Sequence, residues 1–342
     1  MTDRPPIHYT RTGDGAAVPL ILGPSIGTSL GMWDAALPAL AADRAVIRYD
    51  LPGHGGTPAT ALPDLKPGAT TVADLAQAVL DLADNLAVER FAYAGVSLGG
   101  AIGLWLAIHR PERIAALAAL CSSARFGDPS TWLARADLVR RKGTGPVADT
   151  TAERWFTPSF AASGAPVVAH LVNDLRAAEP DGYAACCDAL AAFDVREDLA
   201  RITAPTLVIA GRDDPATPVA QARELADGIP NAALLEVPHA SHLVNVEQPR
   251  TVVPALRAHF ATAIHPSPLP SSPRQLDSES SLAAGMTVRR AVLGDAHVDR
   301  AVAGTTPFTA DFQDFITRYA WGGIWTRPGL DRRTRSAITL TA

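Results

Sequence analysis

The sequence predicts an α/β fold, in which a mostly parallel sheet carries helices on both faces. Short apolar runs alternate with longer Ala- and Leu-rich stretches along most of the 342 residues, and this alternation is typical of a parallel sheet covered by helices. Hydrophobic residues make up 47% and charged residues 19% of the chain, which provides enough apolar material for a buried core. The length allows one large domain and a smaller second one.

Six short runs are the predicted strands of this sheet. They are Val18–Gly23, Ala45–Asp50, Arg90–Gly95, Ile114–Leu120, Thr206–Gly211 and Ala233–Val237. Between the second and third runs, Thr71–Leu86 carries apolar residues at helical spacing. No strand signal occurs between about residues 125 and 199, where helical runs follow one another. An insertion at this point is expected to form a helical cap over the carboxyl edge of the sheet, where ligands of α/β proteins bind.

The composition changes after the last predicted strand and its helix. Residues 265–285 are rich in Pro and Ser and predict a linker. A new amphipathic pattern begins at residue 286 and continues to Ala342. The predicted organisation is therefore a domain over residues 1–264, a linker, and a short all-α fragment over residues 286–342.

Charge and composition exclude several classes of function. The net charge of −5 leaves no basic surface for nucleic acid and no polybasic segment for a membrane surface. The first residues lack the features of a secretory signal, so a cytoplasmic protein is expected. The uncharged run Phe91–Ile108 contains several glycines and fits a buried strand, turn and helix better than a membrane span.

The cysteines lack the spacing of a disulfide framework or metal site and are expected to be buried apolar residues; they are Cys121, Cys186 and Cys187.

The pentapeptide Gly95-Val96-Ser97-Leu98-Gly99 lies between a predicted strand and a predicted helix. A G-x-S-x-G nucleophile elbow requires this context. The turn is strained, and its glycines leave space where a Cβ would meet the neighbouring strand or helix. The turn places the Ser97 hydroxyl at the amino end of the helix, which favours developing negative charge. Ser97 is therefore the predicted nucleophile.

A serine nucleophile needs a base, and the base needs an orienting acid. The acid is expected at the end of a late strand, where Asp213 and Asp214 compete. The G-x-x-D spacing from Gly211 favours Asp214. Two candidate bases, His239 and His242, follow the next strand. A zinc site built on these two histidines lacks a third ligand at a suitable spacing, so no metal is expected.

Residues 1 to about 262 resemble the α/β-hydrolase family with a helical cap. Besides the elbow, the stretch Tyr49–Thr57 resembles the family's D-x-P-G-x-G-x-S loop. The pattern H-x-x-x-x-E-x-P that begins at His242 resembles the family's loop histidine leading into a helix, and this resemblance makes His242 the predicted base. Asp50 and His54 are further candidates for catalysis, but a structural role in the turn is the better interpretation.

The loop Leu22–Asp34 resembles the loop that follows the third strand in this family, with Pro24-Ser25 in the place of the usual His-Gly pair. The resemblance implies that the backbone N–H groups of Ile26 and Leu98 form an oxyanion hole. Such a donor typically stabilises the transition state by about 3 kcal/mol.

Four stretches together resemble 3-oxoadipate enol-lactonases: "SIGTSLGMWD", "GVSLGG", "DDPATP" and "HLVNVEQP". This resemblance implies hydrolysis of a small lactone through an acyl-enzyme, without a cofactor. The substrate of that family carries a carboxylate, so the cap is expected to present a cation, and aromatic residues are expected to line the pocket. The candidates are Arg135, Arg140, Arg154, Trp132 and Trp155. Solvated helix faces and simple packing are the competing interpretations.

Residues 286–342 resemble the start of 4-carboxymuconolactone decarboxylases, through Val288–Ala301, Phe308–Ser336 and Ile338–Ala342. The two families catalyse consecutive steps in the protocatechuate branch of aromatic degradation, which supports the lactonase interpretation. The functional His and Cys of the decarboxylase lie downstream of the last residue here. We therefore expect an incomplete fragment without decarboxylase activity, in which His297 is a surface residue. The fragment has an apolar face that it cannot fully bury. We therefore expect it to be partly disordered, to self-associate or to adhere to the hydrolase surface.

Three other functions compete with this hypothesis. A carboxylesterase or another lactonase would use the same triad on a different ester. A haloalkane dehalogenase is disfavoured because Ser97 occupies the place of its nucleophilic Asp. A non-catalytic ligand-binding homologue is disfavoured by the complete set of Ser97, Asp214 and His242.

Overall fold

The computed structural model describes residues 4–264, 278–306 and 309–318, together with Trp321 and Trp325. One sheet contains six strands: β1 (Tyr9–Gly23), β2 (Arg44–Tyr49), β3 (Phe91–Val96), β4 (Ile114–Leu120), β5 (Thr206–Gly211) and β6 (Ala232–Val237). Their order across the sheet is β2-β1-β3-β4-β5-β6. Strands β1 and β2 pair antiparallel, and the other neighbours pair parallel. The predicted α/β fold class is confirmed.

The helices follow the strands in three groups. Those between or after the strands and outside the insertion are α1 (Leu37–Leu40), α2 (Val72–Asn85) and α3 (Leu98–His109), and later α9 (Val219–Gly228), α10 (Val244–Glu247) and α11 (Pro249–Ile264). Between β4 and β5 lie α4 (Pro129–Lys142), α5 (Gly145–Trp155), α6 (Pro158–Ala162), α7 (Pro166–Ala177) and α8 (Pro180–Ala192). After β6 and α11, the chain forms α12 (Ser278–Leu293), α13 (Asp295–Ala303) and α14 (Ala310–Phe315).

The predicted strands agree with the structure to within one residue, except at β1. This strand begins at Tyr9 rather than Val18, and its first half pairs with β2, where Tyr9 lies opposite Tyr49. The side chains of that first half are mostly exposed. Hydrophobic periodicity therefore gave no strand signal, because this segment is held by backbone pairing rather than by burial.

The uncharged run Phe91–Ile108 forms β3, the turn at Ser97 and most of α3. Every residue of β3 is buried, and α3 is apolar around nearly its whole circumference. Gly103 allows α3 to approach the sheet, since a Cβ there would lie 2.7 Å from the side chains of Leu117 and Tyr93. In the described parts of the chain, no helix has the length and apolar character needed to cross a membrane.

Helices α4 to α8 form a cap that contains no strand within residues 129–192. Each of the five has a proline in its first turn, where the missing N–H removes no intrahelical hydrogen bond. Asp128 caps the amino end of α4 by accepting from the N–H of Ser130, and Gly143 ends that helix with a φ of +74°. These signals divide the insertion into short helices that can follow the edge of the sheet.

The parallel strands direct the loops of the predicted site to one edge of the sheet. Because β1, β3, β4, β5 and β6 run in the same direction, the segments after their carboxyl ends are neighbours. These segments begin the loops that carry Ser25, Ser97, Cys121, Asp214 and His242. The topology therefore brings together residues that lie far apart in the sequence.

The chain divides into two compact units, residues 1–266 and 267–342. In the second unit, α12 begins at Ser278, so residues 278–285 of the predicted linker are helical, whereas residues 265–277 lie outside the described part. Good helix formers such as Leu282 and Ala283 explain the early start.

Within this second unit, Arg289 is buried and donates to Thr317 Oγ1 and Gln313 Oε1, both at 3.0 Å. Phe312 is 60% exposed and Phe315 is 59% exposed. His297 is exposed, as expected for a surface helix residue. The likeness to decarboxylases remains a prediction, and residues 326–342 lie outside the described part.

Candidate active site

Ser97 lies on a sharp turn between β3 and α3. Its φ of +56° and ψ of −114° are unusual for a residue other than glycine. Both polar groups of the Ser97 backbone are hydrogen-bonded to the end of β4. The Ser97 N–H donates to the carbonyl of Leu120 at 2.9 Å, and the Ser97 carbonyl accepts from Ser122 Oγ at 2.9 Å. A strained conformation of this kind persists only where the surroundings fix it.

The two glycines of the elbow explain why the turn can form. A Cβ at Gly95 would lie 2.2 Å from the carbonyl carbon and oxygen of Gly99, and a Cβ at Gly99 would lie 2.6 Å from the carbonyl oxygen of Gly23. The Gly99 N–H donates to the carbonyl of Pro24 at 3.1 Å. The close approach thus joins the elbow directly to the loop that follows β1.

His242 and Asp214 form a buried pair at the carboxyl edge. His242 Nδ1 and Asp214 Oδ2 are 2.8 Å apart. Asp214 Oδ1 also accepts from the N–H groups of Ala216 and Thr217, at 2.7 and 3.1 Å. Burial alone would raise the pKa of Asp214, but the His242 ring and the hydrogen bonds from Thr217 outweigh it and hold that pKa below its usual range. Asp214 is therefore an ionised partner for His242 Nδ1.

The alternative acid and base lie elsewhere. Asp213 and His239 are both exposed, whereas Asp214 and His242 are buried. His239 has a φ of +54° in the loop after β6, and its carbonyl accepts from Gln248 Nε2 at 3.0 Å. The structure thus places the preferred member of each pair, and not the other, in the hydrogen-bonded dyad.

Ser97 and His242 line the same cavity, which has a volume of about 320 Å³. The sheet edge also contributes Ser25, Ile26, Ala216 and Thr217, and the cap contributes Phe126, Trp132, Arg135, Arg154, Trp155 and Tyr183, among others. The cavity therefore lies between the carboxyl edge of the sheet and the cap helices, and it suits a small ligand.

The predicted oxyanion donors flank Ser97 on two loops. Leu98 begins α3 directly after Ser97, and Ile26 lines the cavity from the loop after β1. In the described part of the chain, neither backbone N–H donates to a protein acceptor. Both amides are thus available to a ligand, and that of Leu98 lies at the positive end of a twelve-residue helix.

Two of the three candidate arginines reach the cavity. Arg135 lies over the ring of Trp132, 4.7 Å from its centroid, and Arg154 is partly exposed beside Trp155. Among the described residues, neither guanidinium forms an ion pair with a carboxylate. Partial burial and the positive charge of Arg135 lower the pKa of Arg154. The cavity therefore has an excess of positive charge on its cap side.

The third candidate, Arg140, stays a prediction as a ligand contact, and its surroundings indicate a structural role instead. Arg140 forms an ion pair with Asp188, a buried residue of α8, and it does not line the cavity. Asp188 also accepts from the N–H of Gly68 at 2.9 Å. The charge of Arg140 is thus neutralised within the cap, because Asp188 lies on the helix that packs against α4.

Asp50 and His54 have structural roles, in agreement with the preferred interpretation. Asp50 is buried and accepts from His8 Nδ1 at 2.7 Å and from the N–H groups of Leu30 and Gly56 at 2.6 and 2.9 Å. It thereby joins three segments of backbone. Neither Asp50 nor His54 lines the cavity.

Two residues near the dyad were missed by the sequence reasoning. Thr217 Oγ1 donates to Asp214 Oδ2 at 2.6 Å. Glu247 accepts from the N–H groups of Ser241 and Thr157, at 2.9 and 3.2 Å, and so ties the histidine loop to the cap. Glu247 is the glutamate of the H-x-x-x-x-E-x-P pattern that begins at His242, so the sequence held a signal for it. No sequence pattern indicated Thr217.

Cys121 completes a potential metal-binding group, in which its Sγ and ligand atoms of Asp214 and His242 lie within 4.8 Å of one another. The donor set fits a metal poorly. Burial and the charge of Asp214 raise the pKa of the Cys121 thiol, whereas a metal binds the thiolate. Asp214 and His242 are moreover already hydrogen-bonded to each other.

Known proteins resemble this chain over most of its first unit. The chain matches the family described as alpha/beta hydrolase fold over residues 18–249. It is 40% identical to 3-oxoadipate enol-lactonase 2 of Acinetobacter baylyi over 252 residues, which cover 74% of this chain and 92% of that protein. It is also 32% identical over 256 residues to the putative carbamate hydrolase RutD of Pseudomonas syringae, with 71% and 93% covered.

A solved structure shows the same architecture. The enol-lactonase from Burkholderia xenovorans LB400 matches with a TM-score of 0.71 at 34% identity, and the match covers 75% of this chain and 96% of that one. The family match ends at residue 249, so helices α12 to α14 lie outside it. The similarity therefore applies to the unit that contains Ser97, Asp214 and His242.

Proposed function

Because the chain belongs to the α/β-hydrolase fold family, we propose that it is a serine hydrolase that opens 3-oxoadipate enol-lactone to 3-oxoadipate in protocatechuate catabolism. The observation that carries the proposal is the His242–Asp214 pair, bonded at 2.8 Å, in the cavity lined by Ser97. The similarity to proteins named as 3-oxoadipate enol-lactonases supports the choice of substrate.

The first half of the reaction forms an acyl-enzyme. His242 Nδ1 is engaged by Asp214, so Nε2 accepts the Ser97 proton as Oγ attacks the lactone carbonyl carbon. The carbonyl oxygen gains negative charge and accepts from the N–H groups of Ile26 and Leu98. The ring C–O bond then breaks. The leaving enolate oxygen takes the proton from His242, and the enol tautomerises to the ketone.

The second half of the reaction releases the product with one water molecule. His242 removes a proton from water, and the hydroxide attacks the ester carbon on Ser97. The tetrahedral intermediate collapses, Ser97 Oγ recovers its proton from His242, and the new carboxylic acid leaves and ionises by giving its proton to solvent. Lactone and water together account for every atom of 3-oxoadipate, so no cofactor takes part.

The cap supplies recognition of the substrate's own carboxylate. Arg135 and Arg154 line the cavity without ion-pair partners among the described residues, and a carboxylate is a suitable bidentate partner for a guanidinium. Trp132 orients Arg135 by stacking, and Trp155 closes the apolar part of the wall. The ligand is thus a small ester that carries a negative charge.

A substrate comparison on the purified full chain tests this function. We expect kcat/KM for 3-oxoadipate enol-lactone to exceed that for its neutral methyl ester and for a short p-nitrophenyl ester by at least about tenfold, since only the acid engages the arginines. Faster turnover of the neutral esters would make the protein a carboxylesterase. Faster turnover of a carbamate would favour the activity named for the relative from Pseudomonas syringae.

The non-catalytic alternative has a separate test. A fluorophosphonate reacts with an activated serine and leaves an inert ligand-binding homologue unmodified. Stoichiometric labelling of the folded chain is expected. The absence of labelling would favour a ligand-binding role.

A further inference from the structure

Ser25 has a buried hydroxyl that the protein leaves without a partner. Its residue exposure is 0%, and in the described part of the chain Ser25 Oγ has no hydrogen-bond partner. Buried serines nearby are different: Ser122 Oγ donates to the carbonyl of Ser97 at 2.9 Å, and Ser123 Oγ donates to the carbonyl of Arg125 at 2.6 Å. Ser25 also lines the cavity, whereas Ser122 and Ser123 do not.

The backbone of Ser25 is fixed, so only the hydroxyl remains uncommitted. The Ser25 N–H lies 3.2 Å from Met32 Sδ, and its carbonyl accepts from the N–H and Oγ1 of Thr28, at 3.1 and 2.8 Å. Ile26, whose N–H is a proposed oxyanion donor, is the next residue. The hydroxyl therefore belongs to the residue that precedes a proposed oxyanion donor, and both residues line the same cavity.

A buried polar group without a partner destabilises the fold, so native proteins contain few of them. A serine in this position is useful if the reacting ligand supplies the missing acceptor. An oxyanion accepts more than two hydrogen bonds, and a donor fixed before the reaction needs no reorganisation.

We propose that Ser25 Oγ–H is a third donor to the oxyanion, beside the N–H groups of Ile26 and Leu98. This proposal rests on the proposed function, because it requires that Ser97 attack a carbonyl. The hydroxyl donates its proton to the developing negative oxygen and accepts none, so the proton transfers between Ser97, His242 and the leaving group are unchanged.

The test compares Ser25→Ala with Ser123→Ala, a buried serine whose hydroxyl is satisfied. We expect Ser25→Ala to lower kcat by about 100-fold, as for the loss of another oxyanion donor, with KM within about twofold of wild type. Its thermal midpoint should be unchanged or higher, because an unsatisfied group has been removed. Ser123→Ala should have the opposite profile, with wild-type kcat and a lower midpoint, since it loses bonds to the backbone of Arg125.

A second measurement separates transition-state from ground-state effects. A trifluoromethyl ketone forms a tetrahedral adduct with a serine nucleophile and so presents an oxyanion. It should bind Ser25→Ala about 100-fold more weakly than wild type, whereas the product 3-oxoadipate should bind equally to the two proteins. Unchanged kcat and unchanged affinity for the ketone would overturn the proposal. A change confined to KM, or a midpoint loss as large as that of Ser123→Ala, would also overturn it, because it would indicate ground-state binding or a structural role.

Failure of this proposal is distinguishable from failure of the proposed function. If the wild type hydrolyses neutral esters faster than the lactone, the substrate assignment fails, and the Ser25→Ala comparison is made with the preferred ester. If the wild type does not react with a fluorophosphonate, Ser97 is not a nucleophile and both proposals fall.

Discussion

The two walls of the cavity differ in how their polar groups are used. On the sheet side, Asp214 and His242 are bonded to each other, and Asp214 is further bonded to backbone N–H groups and a hydroxyl. On the cap side, Arg135 and Arg154 face the cavity without carboxylate partners among the described residues. This difference fits the proposal in which the sheet edge holds the reacting groups and the cap binds a charged ligand.

Specific hydrogen bonds join the two walls next to His242. Glu247 accepts from Ser241 on the sheet side and from Thr157 on the cap side. The N–H of Leu243, next to His242, donates to the carbonyl of Trp155 at 3.0 Å. The position of the cap relative to His242 is thus fixed close to the reacting groups, so substitutions on each wall should have separable effects.

The largest effects are expected on the sheet side. Ser97→Ala and His242→Ala should each lower kcat by about 10⁴-fold or more, because the nucleophile or its base is lost. This corresponds to at least about 5.4 kcal/mol of transition-state stabilisation. Steady-state kinetics with the lactone provide the measurement. His239→Ala is the matched control and should retain nearly wild-type activity; an inactive His239→Ala with an active His242→Ala would reverse the assignment of the base.

A cap residue outside the cavity should affect stability rather than binding. Arg140→Met leaves Asp188 buried without its cation, so the free energy of unfolding should fall by about 3 kcal/mol, as measured by urea denaturation. KM for the lactone should remain within about twofold of wild type. A large increase in KM without a loss of stability would instead restore Arg140 as a ligand-binding residue.

A cap residue inside the cavity should affect binding rather than stability. Arg135→Met should raise KM about 30-fold, since a charge-assisted hydrogen bond contributes about 2 kcal/mol, with a smaller effect on kcat than on KM. Arg141→Met is the matched control, because Arg141 lies on the same helix, is exposed and pairs with Asp137. Equal kinetics for the two variants would mean that Arg135 does not bind the substrate carboxylate.

The acid side of the pH profile should show a single ionisation, because the Asp214 carboxyl group does not contribute a second one. The pKa of Asp214 is held below its usual range, so this carboxylate stays ionised while an imidazolium forms and cannot accept the Ser97 proton. The slope of log kcat/KM should be one on the acid side, a tenfold loss for each pH unit, or about 1.4 kcal/mol. A slope of two, or a flat profile down to about pH 4, would contradict this.

The same lowered pKa determines the order in which activity and structure are lost. A carboxyl group with a lower pKa in the folded than in the unfolded state stabilises the fold above its unfolded value of about 3.9. That contribution is lost only as the pH falls through the folded pKa of Asp214. Activity should therefore decrease before the circular dichroism signal of the folded chain does.

The position of Ser97, Asp214 and His242 at the sheet edge could be predicted from the sequence because the signals are local. The elbow needs glycines next to Ser97, and their backbone contacts explain why. Asp214 and His242 each follow a buried strand, and parallel strands bring their carboxyl ends to one edge. The geometry of this wall follows from the order of strands and loops along the chain.

The cap side was predicted only as a set of candidates because its signals are not local. The partner of Arg140 is Asp188, 48 residues away, and nothing in the α4 sequence indicates which arginine meets it. The free hydroxyl of Ser25 likewise depends on what surrounds it rather than on its neighbours in sequence. Such contacts depend on how the helices pack against one another, and helical periodicity does not specify which residues meet.

The most direct test of the account is the site of fluorophosphonate labelling, determined by mass spectrometry on the intact chain and its peptides. We expect one adduct on Ser97 in the wild type, greatly slowed labelling in His242→Ala, and unchanged labelling in His239→Ala. An adduct on another residue, or labelling of Ser97 at the wild-type rate without His242, would contradict it.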